Sequence, residues 1–348
     1  MPHLPVNHVS FRPSPRSAGP LTTLAAELAP STVDESLDAA TLLGARAHSP
    51  AAGSTTDLWE ALATLAAHDL GAARTVEPHL DALAILEQAS LDETPDDTAT
   101  ATGTWGVFAA EGGDDPLVAT KVGDSWLLSG TKPWCSLAGR LDRALVSAHV
   151  GDGARRLFAV ELTSPGVDVV DDAWHARGLT EIPSGPVRFD AVVGEPVGDA
   201  GWYLSRPGFA WGGIGVAACW FGGAVGIART VFATAADDRP FAVMHLGAID
   251  ELLESARRAL AEAAHLVDTG DDTIDPGVLA ARVRSTVARA CDEIVDRAGR
   301  ALGPAPLALD AVHAKRVADL RLYVRQHHAE RDQHALGSSL LRLGVAPW

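Results

Sequence analysis

The chain has 348 residues, more than one compact core usually holds, so two or three subdomains are expected. Hydrophobic residues make up 47% and charged residues 21%, a globular composition that excludes a disordered or collagen-like chain. A formal net charge of −17 repels nucleic acid and anionic membrane, so neither is expected as a partner.

Residues 1–19 are polar and proline-rich with no apolar h-region, and read as a flexible tail rather than a secretory signal. Cys135, Cys219 and Cys291 form no C-x-x-C pair, which fits a reducing, cytoplasmic setting. Residues 20–100 read as an N-terminal helical domain, with Val76, Leu80, Leu83 and Leu86 on one side of a helix. Within it, Arg74, Glu77, His79 and Asp81 either line a substrate mouth or form an internal salt-bridge network. The acidic, threonine-rich residues 91–103 read as a linker.

Residues 101–199 carry short apolar runs between turn signals such as Gly123-Asp124 and Ser164-Pro165-Gly166, the pattern of a small antiparallel barrel or sandwich. Residues 200–348 return to helix and read as a four-helix bundle. Residues 207–228 hold no charge over a bilayer-spanning length, and Gly222-x-x-x-Gly226 mimics a membrane-helix motif. The abundance of Gly and Ala better suits a helix buried on all sides of a soluble bundle. Pro276 opens a long amphipathic stretch in which Leu279, Val283, Val287, Ala290, Ile294 and Ala298 recur at spacings of 3 and 4, closed by Gly303-Pro304. One last helix is expected over residues 307–340. The predicted fold is α+β, mostly α: helices, barrel, bundle.

Three barrel motifs point further. They are the strand-turn-strand run Trp126 to Ser136 (WLLSGTKPWCS), the loop Phe108-Ala109-Ala110-Glu111-Gly112-Gly113, and the strand Val187 to Gly194. In this order they resemble the acyl-CoA dehydrogenase family of flavoproteins over residues 55–335. The resemblance implies that the barrel cradles the isoalloxazine of FAD. Trp134 would be a flat wall for the ring, Ser136 a hydroxyl donor to it, and Phe108, Ala109 and Ala110 its loop contact. Ala110 replaces the threonine that usually meets the flavin, which leaves only backbone N–H groups there. Arg239-Pro240-Phe241 resembles the turn whose arginine reaches the FAD pyrophosphate across a subunit interface, a task suited to the guanidinium fork. The alternative for Arg239 is a pairing with Asp237 or Asp238. Arg300 to Gly303 sits where the family touches the partner's dinucleotide. The implied assembly is a homodimer, a homotetramer or a hetero-oligomer with a related subunit. The implied substrate is an acyl-CoA thioester, with an electron-accepting flavoprotein downstream.

Dehydrogenation of an acyl-CoA needs a base for the α-proton, and the family's usual glutamate is absent. Its place falls near His327. The apolar run 207–228, where a few members carry their base, holds no acid. His327 or His328 as base, Glu330 as base, and no base at all in a catalytically silent partner subunit remain open. A reduced-flavin monooxygenase, which needs no α-proton base, is a further alternative. His327, Glu330 and His334 would share one face of a continuous helix, but no complementary ligands accompany them, so no metal is expected.

Overall fold

The computed structural model describes residues 7–13, 17–92, 103–151, 153–236, 238–271 and 273–348. The proposed linker 91–103 therefore lies largely outside the described residues, as does Asp237. The N-terminal region holds α1 (Pro20–Leu28), α2 (Val33–Gly44), α3 (Thr55–His68) and α4 (Leu70–Asp92). Thr32 starts α2 with a capping box, its side chain accepting from the Glu35 amide while Glu35 reaches back. Asp69 starts α4 by accepting from the amides of Gly71 and Ala72 at 2.7 and 3.2 Å. Inside α4, Pro78 removes the amide that would otherwise bond the Arg74 carbonyl.

Residues 7–13 are not a free tail. Val9 and Phe11 are buried, and the Phe11 ring meets Phe221 edge-on at 5.8 Å. The Phe11 amide and the Ser10 hydroxyl both donate to Glu60 Oε1, at 2.5 and 2.9 Å. Two apolar side chains flanking one polar residue let this stretch dock on α3, the Val9 amide donating to the Thr64 hydroxyl at 2.9 Å.

The middle of the chain forms β1 (Trp105–Phe108), β2 (Val118–Val122), β3 (Ser125–Lys132), β4 (Arg143–Val150), β5 (Ala154–Glu161), β6 (Val167–Val169) and β7 (Val187–Val197). The pairings β4–β5–β7–β3–β2–β4 close a small barrel. It is not wholly antiparallel: β1 runs parallel to β4, and β2 meets β4 in parallel at Val118 and His149. Leu128, Phe158, Val187, Phe189 and Val192 fill its interior.

The C-terminal region follows with α5 (Trp202–Ser205), α6 (Pro207–Thr234), α7 (Pro240–Thr269), α8 (Pro276–Leu302), α9 (Ala305–Leu309), α10 (Ala311–Tyr323), a short 3-10 turn (Val324–Gln326) and α11 (Glu330–Arg342). The expected stripe on α8 is buried from Val283 to Ala298. Helices α6, α7 and α8 pack on one another and α10 rests on α6. Helix α3 crosses α6 as extensively as α8 does, so α6 serves both helical regions.

That crossing explains the small residues. A Cβ on Gly222 would collide with the Ala63 carbonyl oxygen, and one on Gly226 would approach that of Ala67 to 2.8 Å. The G-x-x-x-G pattern is thus a close-contact seam between α6 and α3. Among the described residues α6 alone is long and apolar enough to cross a membrane, and 67% of that window is buried inside the protein.

The single last helix expected over 307–340 is broken. Its chain leaves helical geometry at His327, and Ala329 takes φ +44° before α11 begins. No glycine or proline marks that break.

Candidate active site

Trp134 sits at the end of the barrel in the left-handed region, φ +61°, with 59% of its surface exposed. Its indole meets Trp174 edge-on at 6.2 Å. The following residues are pinned, Cys135 and Leu137 donating their amides to the carbonyls of Gly185 and Pro183 at 3.0 and 2.8 Å. Ser184 donates to the Ile182 carbonyl at 3.0 Å, so the 2.7 Å contact of the two hydroxyls has Ser136 donating to Ser184. Arg74 in turn donates to Ser136 at 2.8 Å and lies 5.5 Å over the Tyr323 ring. The Ser136 hydroxyl expected to face a flavin is thus already engaged on both sides.

Phe108 is buried in the core, which corrects its expected cofactor contact, whereas Ala109 and Ala110 are half-buried at the barrel edge. Their loop is tied down by Glu111, which meets Lys132 Nζ at 2.8 Å, His149 Nε2 at 3.0 Å and Arg155 at 3.3 Å. Burial works against the charge on Glu111, but Lys132 and Arg155 hold its pKa below the ordinary carboxylate value.

Arg239 and the 300–303 segment, singled out separately in the sequence, are brought together. Arg239 donates to the Thr234 carbonyl at the end of α6 and to the Ala301 carbonyl at the end of α8, both at 3.2 Å. It makes no ion pair with Asp238. Phe241 is largely exposed beside it, and Arg300 is exposed without an ion pair among the described residues. Gly303 ends α8 with φ +74°.

The three candidate bases fare differently from expectation. His327 is buried, accepts from the Ala329 amide at Nδ1 (3.2 Å), and therefore donates from Nε2 to Ser285 at 3.1 Å. Burial and the nearby Arg284 and Arg325 lower its pKa, against Asp332. With neither nitrogen free, the ring joins α8 to the break before α11, and its one lone pair is already held by the Ala329 amide. His328 is exposed and pairs with Asp332 at 3.3 Å, and Glu330 is an exposed first-turn residue of α11. The break also removes the shared face of His327, Glu330 and His334. The carboxylates that do converge, Asp69, Glu181 and Asp319, are joined by Lys315 Nζ at 3.0, 2.7 and 2.7 Å.

A cavity of about 210 Å³ opens instead between α3, α4, α6 and the α2–α3 connection. Trp59, Leu62, Leu80, Trp211, Glu77 and Asp81 line it. The cluster around Arg74 therefore divides. Glu77 and Asp81 face the cavity, while His79 accepts the Trp105 amide at 3.2 Å and links α4 to the barrel. Burial drives the His79 pKa down to about 4. Burial and the neighbouring Asp81 push Glu77 up to about 8, against Arg74 and Arg284. Burial likewise raises Asp81, against Arg206. Arg206 and Arg284, which stand behind this acid pair, went unrecognised in the sequence; the only signal was that Arg206 borders the uncharged run.

No family model matches the sequence, and no curated protein does. Solved structures are similar across almost the whole chain. The flavin-bound TdsC from Paenibacillus sp. A11-2, in complex with FMN and indole, has a TM-score of 0.75 at 19% identity over 94% of this chain and 97% of its own. A nitrososynthase from Micromonospora carbonacea var. africana gives 0.76 at 19%, over 94% and 98%. The methanesulfinate monooxygenase MsuC from Pseudomonas fluorescens gives 0.69 at 20%, over 95% and 99%. The fold is therefore the acyl-CoA dehydrogenase-like one.

Proposed function

We propose that this chain is a flavin-dependent oxidoreductase of the monooxygenase kind, acting on a small substrate in the α3–α4–α6 cavity. The observation that carries the reading is the state of the expected bases. His327 has no free nitrogen, and His328 and Glu330 are exposed, so α-proton abstraction from an acyl thioester has no agent at these positions. The cavity wall also carries no Lys or Arg for the phosphates of coenzyme A. TdsC, described as a dibenzothiophene monooxygenase, and MsuC share the fold and support the choice.

The residues present fit a flavin. The exposed Trp134 indole offers a flat wall, and Ala109 and Ala110 are small, half-buried residues of the barrel edge, while the Ser136 hydroxyl already donates to Ser184. Arg239, Arg300 and Gly303 of a second copy would hold its phosphate end, so we place the enzyme in a homo-oligomer, in the cytoplasm. FMN is as suitable as the FAD first expected, because the TdsC structure holds FMN. When bound in reduced form, the flavin supplies the electron pair that activates dioxygen. Arg74, fixed by Ser136 and stacked over Tyr323, keeps a permanent positive charge between barrel and cavity. The apolar wall of Trp59, Leu62 and Leu80 excludes water from the bound substrate.

A silent partner subunit is the second reading, favoured by the hold of Arg74 and Ser184 on Ser136. Titration of the pure chain with reduced and oxidised FMN and FAD, followed by flavin fluorescence and oxygen uptake, separates the two. Micromolar binding with oxygen consumption is expected. A chain that binds no flavin until a second, different chain is added would sink the enzyme reading.

A further inference from the structure

We infer that the α3–α4–α6 cavity binds a small apolar or aromatic primary amine, with its ammonium group held between Glu77 and Asp81. This deepens the proposed function, since it rests on that cavity being the substrate site. The Glu77 side chain is 9% exposed, lines the cavity and accepts no hydrogen bond; its nearest cation is Arg74 at 4.0 Å. Asp81 lies one helical turn on, and its nearest cation, Arg206, stands at 3.7 Å.

Each arginine nearby donates elsewhere. Arg74 donates to Ser136, Arg206 to Gln88 at 2.6 Å, and Arg284 to the carbonyls of Gly213 and Gln326 at 2.6 and 3.2 Å. Cys219 of α6 and Tyr323 of α10 lie within electrostatic reach of Glu77, and Tyr203 within that of Asp81. Gly212 lacks the Cβ that would come within 2.7 Å of Asp81 Oδ1, so the carboxyl keeps its place at the wall. The other charged group in the lining, Glu87, is acidic too, with His48 opposite on the α2–α3 connection.

An ammonium brings three donors and no acceptor, which matches two carboxyls that lack donors. It also gains from the Trp59 and Trp211 rings in the lining. A void of about 150 Å³ holds a benzene ring, so this cavity takes such a ring with a chain of two or three atoms. An anionic ligand meets Glu77, Asp81 and Glu87 there, with His48 the one basic group in the lining.

Calorimetric titration of the full chain, with and without FMN, tests this using 2-phenylethylamine, 2-phenylethanol and 3-phenylpropionate. The amine is expected to bind roughly tenfold or more tighter than the alcohol, and the acid not to bind. Because Glu77 stays protonated below pH 8, the amine must displace its proton. Affinity then rises roughly tenfold from pH 6.5 to 7.5, with a proton released to buffer. Glu77→Gln should abolish both the amine preference and the pH rise, and Asp81→Asn should weaken the preference. Equal binding of amine and alcohol, a preference that survives both variants, or no binding of any of the three overturns the inference. A chain that selects the amine yet never binds flavin loses its proposed function and keeps this site; a chain that binds flavin without amine selection does the reverse.

Discussion

Where α4 begins and α10 passes, Asp69, Glu181 and Asp319 crowd their oxygens within 4.8 Å of one another, and Lys315 fills the space between them at ordinary ion-pair distances. Two helical turns along α4, Glu77 is buried and Asp81 partly so, but their nearest arginine nitrogens stand at 4.0 and 3.7 Å and an open volume remains. Burial opposes the Lys315 charge, yet the surrounding carboxylates raise its pKa; the arginines near Glu77 do not overcome burial in the same way. The contrast separates a cluster that closes on itself from one completed from outside. Buried ionisable groups of both kinds look alike in sequence, and only the nearest donor distinguishes them.

The comparison breaks first at Lys315. Lys315→Met leaves the buried Asp319 and the partly exposed Asp69 and Glu181 without their lysine and, discounted for that exposure, should cost roughly 2–4 kcal/mol, read from the denaturant midpoint. A loss near zero would mean the two clusters are equivalent. Glu77→Gln should act the other way. The folded-state pKa of Glu77 is raised from 4.5 to about 8, so the folded protein binds an extra proton between those values and loses stability as pH rises through that window. The variant should match the parent at pH 5 and exceed it by roughly 2–4 kcal/mol at pH 8.5, seen as a higher Tm. Parallel pH profiles would refute this.

Smaller effects sharpen the same contrast at the barrel and the helix break. Trp134→Ala should weaken FMN binding by about tenfold, or roughly 1.4 kcal/mol, with Tm unchanged because the ring is exposed. His327→Gln removes one partner of satisfied hydrogen bonds and should cost about 1 kcal/mol, leaving turnover within a few-fold. A hundredfold fall in turnover with flavin still bound would restore His327 as a base.

Much of the architecture was legible. The switch from helical spacing to short turn-bounded strands placed the barrel, and the α8 stripe was read residue by residue. The parallel β1–β4 pairing was not, because alternation shows which face is buried and not which strand lies alongside. The break at His327 to Ala329 was hidden for a related reason: a positive φ on alanine carries no residue signature. Of the site, Trp134, Arg239 and the 300–303 segment stood out as motifs, but the bond from Arg239 to the Ala301 carbonyl did not. Arg74, Glu77, His79 and Asp81 showed as a substrate mouth or a salt-bridge network, but Arg206 and Arg284 come from distant elements, and only folding reveals that their donors point elsewhere.

The glycine seam has a consequence for traffic. With α3 and α6 in contact at backbone level, that wall of the cavity has no freedom to part. The end of the α2–α3 connection is equally fixed, since Gly53 and Thr55 donate to Asp268 of α7. What remains is the short span from Ala47 to Pro50, latched to α4 through the Ser49 hydroxyl on Glu87. This span borders the cavity, its Ala47 amide donating to the Leu43 carbonyl at 2.7 Å, so α2, the connection and α4 are joined along one rim.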